Sequence, residues 1–214
     1  MNFIVKIVCF VVTVLSSTSA FALIGNRLDV LGFGGYSQAS GFSDTTASNI
    51  YGNMTGFNGG GMLLITLVDR MLAPVIGVGG DYMQLKSSVT YNGAVFDNTL
   101  TSAAGTGHAG VRIVAPMVRL FLLGNAGYGS SDKIVTNIEA VGGGATLSTM
   151  TMKLKSHMFY GATAALMVSA APFVKVGVSA VYNTHNAKLE DESGTSNDTT
   201  YQELSGNLVI GISL

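Results

Sequence analysis

The chain has 214 residues, of which only 11% are charged, 48% are hydrophobic and 28 are glycine, and its formal net charge is −1. Soluble domains usually carry about a quarter of charged residues, and a net charge near zero gives no support for nucleic-acid binding. The single cysteine, Cys9, lies near the start of the chain. Disulfides and cysteine metal sites are therefore excluded from the rest of it.

The first 22 residues have the pattern of a secretory signal peptide. Lys6 precedes a short apolar run from Ile7 to Leu15, and Ala20-Phe21-Ala22 is a small-residue cleavage site. We therefore predict a signal peptide over residues 1–22, which contains Cys9, and an exported domain over residues 23–214. A retained N-terminal anchor is the alternative, but the apolar run is short for a membrane span.

Alternation of apolar and polar residues then predicts strands along the whole domain. The predicted strands are Arg27–Tyr36, Thr55–Leu67, Pro74–Leu85, Thr101–Val114, Val118–Ser130, the two halves of Met158–Tyr182, and Thr200–Leu214. Each of the three prolines, Pro74, Pro116 and Pro172, falls in a short connection, where a residue that cannot donate to a strand ladder is tolerated. The longer polar segments between the strands are Ser37–Met54, Lys86–Leu100, Ser131–Met150 and His185–Thr199.

Three short turns and four long loops require eight strands, an even number of the kind found in bacterial barrels. The sequence therefore predicts an all-β fold, an eight-stranded antiparallel up-and-down transmembrane β-barrel. A soluble eight-stranded barrel is the alternative, and it would place the apolar side chains inside and the charged ones outside.

The segment Met158–Tyr182 is apolar and about as long as a transmembrane helix, but Pro172 and Lys175 argue against a helix. As a hairpin folded about Ala171, it pairs residues whose numbers add up to 342. Tyr160 is then expected opposite Tyr182, and His157 opposite His185.

The alternation assigns the side chains to two faces. An aromatic girdle is predicted on the lipid face, at the long-loop ends of the strands, from Tyr36, Phe57, Tyr82, Tyr128, Tyr160 and Tyr182. A polar network is predicted in the lumen from Asp29, Asp81, His108, Arg112, Arg119, Lys175 and Glu203. Tyr201 does not fit the girdle, because its position in the alternation points inward.

The predicted hairpin brings His157 and His185 together near the outer mouth. Two facing imidazoles could share a divalent metal or act as a pH-dependent latch, but no third ligand is evident. The alternative is that both are polar residues lining a wet mouth. We predict no catalytic residue, no cofactor and no metal site, since the histidines face inward and no matched serine and histidine spacing is present.

In its architecture the chain resembles the small bacterial outer-membrane β-barrel family typified by the OmpA and OmpX barrels. Its ending, Leu208-x-Ile210-x-Ile212-x-Leu214, looks like the alternating last strand that the barrel-assembly machinery recognises, although members usually end in an aromatic residue. The resemblance implies an outer-membrane monomer with a structural or surface-interaction role, in contact with outer-membrane lipid and lipopolysaccharide. The alternatives are a narrow pore or hydrophobic-ligand conduit, as in OmpW-like barrels, and a lipid A-modifying enzyme.

Overall fold

The computed structural model describes residues 28–43, 49–68, 70–130, 132–141 and 143–214, without the side chains of residues 143–145. The predicted signal peptide lies outside these ranges. Nine strands account for nearly all of the described chain. They are β1 (Leu28–Ser40), β2 (Met54–Thr66), β3 (Leu72–Tyr91), β4 (Ala94–Ala115), β5 (Val118–Gly129), β6 (Asp132–Ala140), β7 (Gly143–Ser169), β8 (Val174–Glu190) and β9 (Ser196–Ser213).

The strands close into a ring in which every pairing is antiparallel. Successive strands pair from β1 to β5, β5 pairs with β7, β7 with β8 and β8 with β9, and β9 returns to β1. Closure removes the unpaired edges that an open sheet would expose. The predicted all-β, antiparallel up-and-down barrel is confirmed.

The predicted number of eight strands is wrong, because one position in the ring is divided between β5 and β6. β5 pairs with β4 and β7 near the short turns, and β6 pairs with the far ends of the same two strands. Between the pairs Ala104↔Gly129 and Thr101↔Lys133 the chain contains one extra residue. Ser130 leaves the ladder there and donates its backbone N–H to Ala103 O at 2.8 Å.

Three of the four long polar segments, 86–100, 131–150 and 185–199, are largely strands, which corrects the prediction that they are loops; in 37–54 the described strand residues are only Ser37–Ser40 and Met54. β3 and β4 continue to a two-residue turn at Asn92 and Gly93, whose φ angles of 50° and 77° suit a tight hairpin. β8 and β9 likewise pair as far as Glu190 and Ser196. The outward residues of these extensions are mostly polar, whereas inward ones such as Leu100, Ile134 and Leu189 are buried, so one face still packs inside the ring.

The predicted register of the β7–β8 hairpin is wrong by two residues. The structure pairs Tyr160 with Thr184 and Ala162 with Tyr182, so paired residues add up to 344. The turn is centred on Pro172 rather than Ala171, since Ser169 pairs with Lys175. His185 pairs with Phe159, not His157.

Pro74 is also misplaced in the prediction. It lies inside β3, opposite Val111, and accepts a hydrogen bond from Leu67 N through its carbonyl at 3.0 Å. The short connection precedes it.

Inside the ring, two apolar clusters lie at different heights. The cluster nearer the short turns is Leu31, Met62, Leu64, Val75, Phe121, Leu123, Ala165, Met167 and Val209. The cluster nearer the long hairpins includes Phe42, Tyr51, Met54, Leu85, Leu100, Ile134 and Tyr201. None of the helices in the described ranges has the length and apolar character needed to cross a bilayer.

Candidate functional site

The six predicted girdle residues all lie on the outside of the barrel, with 42% to 59% of each side chain exposed. The rings of Phe57 and Tyr82 contact each other, with centroids 6.3 Å apart. Towards the short turns from this level, the outward positions carry large apolar side chains. Val78, Leu208 and Ile210 are each at least 60% exposed. A water-soluble surface rarely presents a continuous apolar belt of this kind.

The inward-facing polar residues form three levels, and the lowest is centred on Asp29. Its carboxylate accepts a hydrogen bond from Arg119 at 2.7 Å and one from Ser213 Oγ at 2.5 Å, and it lies 3.7 Å from Arg112. Arg112 and Asp29 are almost completely buried. Lys175 lies on the same inner face and donates to Ser169 Oγ at 2.9 Å. This level ties β1, β4, β5 and β9 together across the short-turn end.

The middle level is held by hydrogen bonds between side chains. His108 Nδ1 lies 3.0 Å from Asn125 Oδ1, and Asn125 donates to Thr163 Oγ1 at 2.8 Å. Asp81 accepts a hydrogen bond from Thr106 Oγ1 at 3.3 Å. These side chains, with Phe33 and Phe159, line a cavity of only about 40 Å³. A space of this size holds one or two water molecules.

The upper level is a chain of four ionisable side chains, which we call the histidine relay: Asp132, His157, His185 and Glu203. Asp132 Oδ2 forms a hydrogen bond with His157 Nδ1. The other ring nitrogen of His157, Nε2, forms one with His185 Nδ1 at 2.8 Å. His185 Nε2 lies 3.0 Å from Glu203 Oε2. All four residues are at most 6% exposed. The relay therefore joins β6, β7, β8 and β9 inside the barrel.

A bulge in β7 lies next to His157 and changes the alternation of the residues that precede it. The ladder pairs Lys155 with Lys188 and Met158 with Asn186, so Ser156 and His157 face a single residue. Ser156 takes a φ of 50°, in the left-handed region, and its side chain is exposed while His157 is fully buried. His157 keeps the inward alternation of Phe159, whereas before the bulge Leu154 faces inward and Lys155 outward, a change that bulges commonly cause.

The two ends of the relay are fixed by further hydrogen bonds. Ala103 N donates to Asp132 Oδ1 at 3.0 Å. Glu203 accepts from Asn183 Nδ2 at 3.2 Å, from Ser37 Oγ at 3.2 Å and from Ser205 Oγ at 2.5 Å. A buried carboxylate is stable when its oxygens are satisfied in this way.

Aromatic rings enclose the relay. The Tyr201 ring stacks on His185 with centroids 4.5 Å apart and an interplanar angle of 4°. Its hydroxyl lies 3.2 Å from His157 Nε2, and Phe159 stacks on His185 from a second side at 5.1 Å. Such contacts restrict both imidazoles and separate them from solvent.

Chemically, the relay can share or pass protons between carboxylates, and it links four strands. The rings of His157 and His185 hydrogen-bond each other, the two carboxylates and Tyr201. Among the described residues, no group of three or more His, Cys, Asp or Glu side chains is arranged to hold a metal ion. In the relay the partners follow one another in a line rather than surrounding a common point.

The sequence did not reveal every member of the relay. The sequence placed His157, His185 and Glu203 in the lumen, but it put Asp132 in a loop. It assigned Tyr201 neither to the girdle nor to the polar network. Alternation starting at Asp132 places Ile134 and Thr136 on the inner face, and both are buried. This pattern could have indicated that Asp132 begins a strand and points inward. The inward parity of Tyr201 agreed with its complete burial.

No family model and no curated protein matches the chain. Among solved structures, it is similar to Ail, the attachment invasion locus protein of Yersinia pestis, at 18% identity and a TM-score of 0.43, covering 88% of this chain and 99% of that one. Neisserial surface protein A matches at 15% identity and a TM-score of 0.49, covering 87% and 97%. The outer-membrane protease OmpT from Escherichia coli matches at 10% identity and 0.45, covering 88% and 97%.

Proposed function

We propose that the chain is an integral outer-membrane β-barrel whose lumen is plugged by its own side chains, and that it has a structural or surface-interaction role. The observation that carries this is the inverted distribution of polarity. Large apolar side chains and tyrosines face outward, whereas Asp29, Arg112 and Glu203 are buried inside. A soluble barrel has the opposite distribution, and a strand barrel satisfies its backbone without water, as a bilayer requires.

The aromatic residues indicate how the barrel would sit. Tyrosines are enriched where the hydrocarbon meets the headgroups, and the girdle separates the apolar belt from hairpins whose outward residues are polar, such as Thr184 and Asn186. Short turns face the periplasm in bacterial barrels, and long connections face outward. The β3–β4, β6–β7 and β8–β9 hairpins would therefore project from the cell, available to surface partners. The barrel-assembly machinery would insert the chain, which acts as a monomer.

Side-chain packing in the lumen favours a plugged barrel over a pore. The middle level leaves about 40 Å³, and the histidine relay and the Asp29 cluster cross the interior at other heights. A hydrated ion needs a continuous path, which these levels interrupt. The burial of the relay also favours a non-enzymatic role, since substrate lipid on the outer face would not meet His157 or His185.

The test is reconstitution of the full exported chain in lipid vesicles. A folded barrel will migrate faster in unheated than in heated gel samples, and carbonate washing will leave it in the vesicles. In planar bilayers we expect no steady conductance steps. Recovery as a soluble, vesicle-free protein would refute the membrane assignment, and regular ion-conducting openings would refute the plug.

A further inference from the structure

Four lysines lie together on the outside of the barrel, beyond the girdle: Lys133 on β6, Lys153 and Lys155 on β7, and Lys188 on β8. All four side chains are exposed. The strand register makes Lys133 the direct partner of Lys153, and Lys155 the direct partner of Lys188. We refer to these residues as the lysine patch.

The register of the lysine patch places two pairs of like charges opposite each other, each with one carboxylate on the adjoining strand. Like charges directly opposite each other on a sheet repel, and here two such pairs occur side by side. Two carboxylates offset part of the charge. Glu190 is the direct partner of Lys153 and lies 3.2 Å from Lys155, and Asp198 is the direct partner of Lys188, at 3.8 Å. Four lysines and two carboxylates leave the patch with an excess of two positive charges. An anionic ligand would remove this repulsion.

The height of the patch suits the headgroup region. Lys155 precedes Tyr160 by five residues on β7, one of which is taken up by the bulge. The remaining four steps cover about 13 Å along the strand, or about 10 Å along the barrel axis at the usual strand tilt, and Lys153 lies about 5 Å farther along that axis. A lysine stem is long and flexible, so its ammonium group can reach back towards the phosphates beside the girdle.

The spacing of the patch favours a ligand with more than one phosphate. Its three strands, β6, β7 and β8, are adjacent and span about 10 Å, and its two lysine pairs are separated by two residues along β7. An ammonium group is a compact charge that binds phosphate well. We propose that the lysine patch binds the phosphate groups of lipid A, the phosphorylated glycolipid part of lipopolysaccharide, in the outer leaflet.

This inference rests on the proposed function, because it requires the girdle to lie at the membrane surface. It adds a ligand and a site to that function. The barrel would then bind lipid A selectively over one part of its circumference, at strands β6, β7 and β8.

The experiment compares the full chain with two variants, K133Q/K153Q and K86Q. Lys86 is exposed on β3, outside the patch, and is the matched control. Each protein is refolded into detergent micelles, and a heat-modifiable gel band checks that it has formed a barrel. Binding of bisphosphorylated lipid A, monophosphorylated lipid A and phosphatidylglycerol is then measured by native mass spectrometry, with inorganic phosphate as a competitor.

We expect K133Q/K153Q to bind bisphosphorylated lipid A about tenfold more weakly than the unaltered chain, since each lysine near an anionic lipid surface adds severalfold. K86Q should bind it normally. Removal of one lipid A phosphate should weaken binding to the unaltered chain more than binding to K133Q/K153Q. Because both lysine pairs remain exposed in any folded barrel, K155Q/K188Q provides a second pair with the same expected loss.

Equal binding by the unaltered chain and both double variants would overturn the inference. So would equal affinity for phosphatidylglycerol and lipid A, which would indicate a general lipid surface, or complete displacement by millimolar inorganic phosphate, which would indicate a free-anion site. In each case vesicle insertion and gel mobility would be unchanged, so that the proposed function would stand. Failure to insert into vesicles would refute the function instead.

Discussion

Replacing Glu203 with alanine tests whether the histidine relay holds the outer half of the barrel together. The carboxylate accepts hydrogen bonds from His185, Asn183, Ser37 and Ser205. The two serine hydroxyls are 2.5 Å apart and can hydrogen-bond each other once the carboxylate is gone. His185 and Asn183 would then be left as buried donors without this acceptor.

The magnitude follows from these two donors. A buried polar group deprived of its partner costs about 1–3 kcal/mol, and more when charge is involved. We therefore expect E203A to lower the free energy of unfolding by about 3–4 kcal/mol, in the range measured when one member of a buried ion pair is removed. E203Q keeps one acceptor oxygen and should lose about 1–2 kcal/mol.

The assay is urea unfolding of the refolded barrel in micelles. Because the chain has no tryptophan, unfolding is followed by far-UV circular dichroism and by the fraction of heat-modifiable band. E192A is the matched control, since Glu192 lies exposed in the β8–β9 turn, and it should change the unfolding free energy by less than about 0.5 kcal/mol. If E203A and E192A have the same free energy of unfolding, the hydrogen bonds of the relay do not stabilise the barrel.

Two further predictions concern the ring closure and the β8–β9 turn. G35A should fail to give a heat-modifiable band, because a Cβ on Gly35 would collide with Gly206 O and lie 2.7 Å from Asn207 Cα in β9. The control G105A should fold normally, because its Cβ would meet nothing within 4 Å. Equal yields of folded barrel from the two variants would contradict this expectation. The hydrogen bond from the Ser193 hydroxyl lowers the pKa of Asp191, so any order it gives the turn is present above the ordinary aspartate pKa and is lost as the pH falls through the lowered value. Carboxyl-carbon NMR should show Asp191 titrating below an ordinary aspartate and S193A raising its midpoint, whereas an unchanged midpoint in S193A would remove the Ser193 hydroxyl as the cause.

Within the predicted strands, the side of the wall on which a residue lies was predictable from the sequence, because alternation assigns successive residues to opposite faces. The register was not, and the β7–β8 hairpin shows why. A slip of one residue would put Val176 and Val178 on the wrong face, whereas a slip of two preserves both faces. The apolar pattern therefore could not distinguish a turn centred on Ala171 from the observed turn centred on Pro172.

The features of the relay that the sequence did not predict were hidden for a similar physical reason. Asp132 is separated from the apolar run of β5 by an interruption at Ser130, and its strand has few outward apolar residues. Outside the belt an outward side chain meets water, so polarity no longer distinguishes strand from loop. The bulge at Ser156 was equally hidden, since one extra residue leaves no composition signal. His157 still reached His185, because a slip of two residues keeps both rings inside the barrel.

The contact between β1 and β9 has a consequence for how this protein is made. Leu28 and Leu214 exchange backbone hydrogen bonds of 3.2 Å and 2.8 Å, and Asp29 meets Ser213 across 184 residues of sequence. The seam between β1 and β9 therefore cannot pair until β9 has been synthesised. Until then both edges of the sheet carry unpaired backbone N–H and C=O groups. The entropy cost of bringing such distant segments together slows the last step. A chain truncated within β9 would be expected to persist as an unsealed, aggregation-prone intermediate.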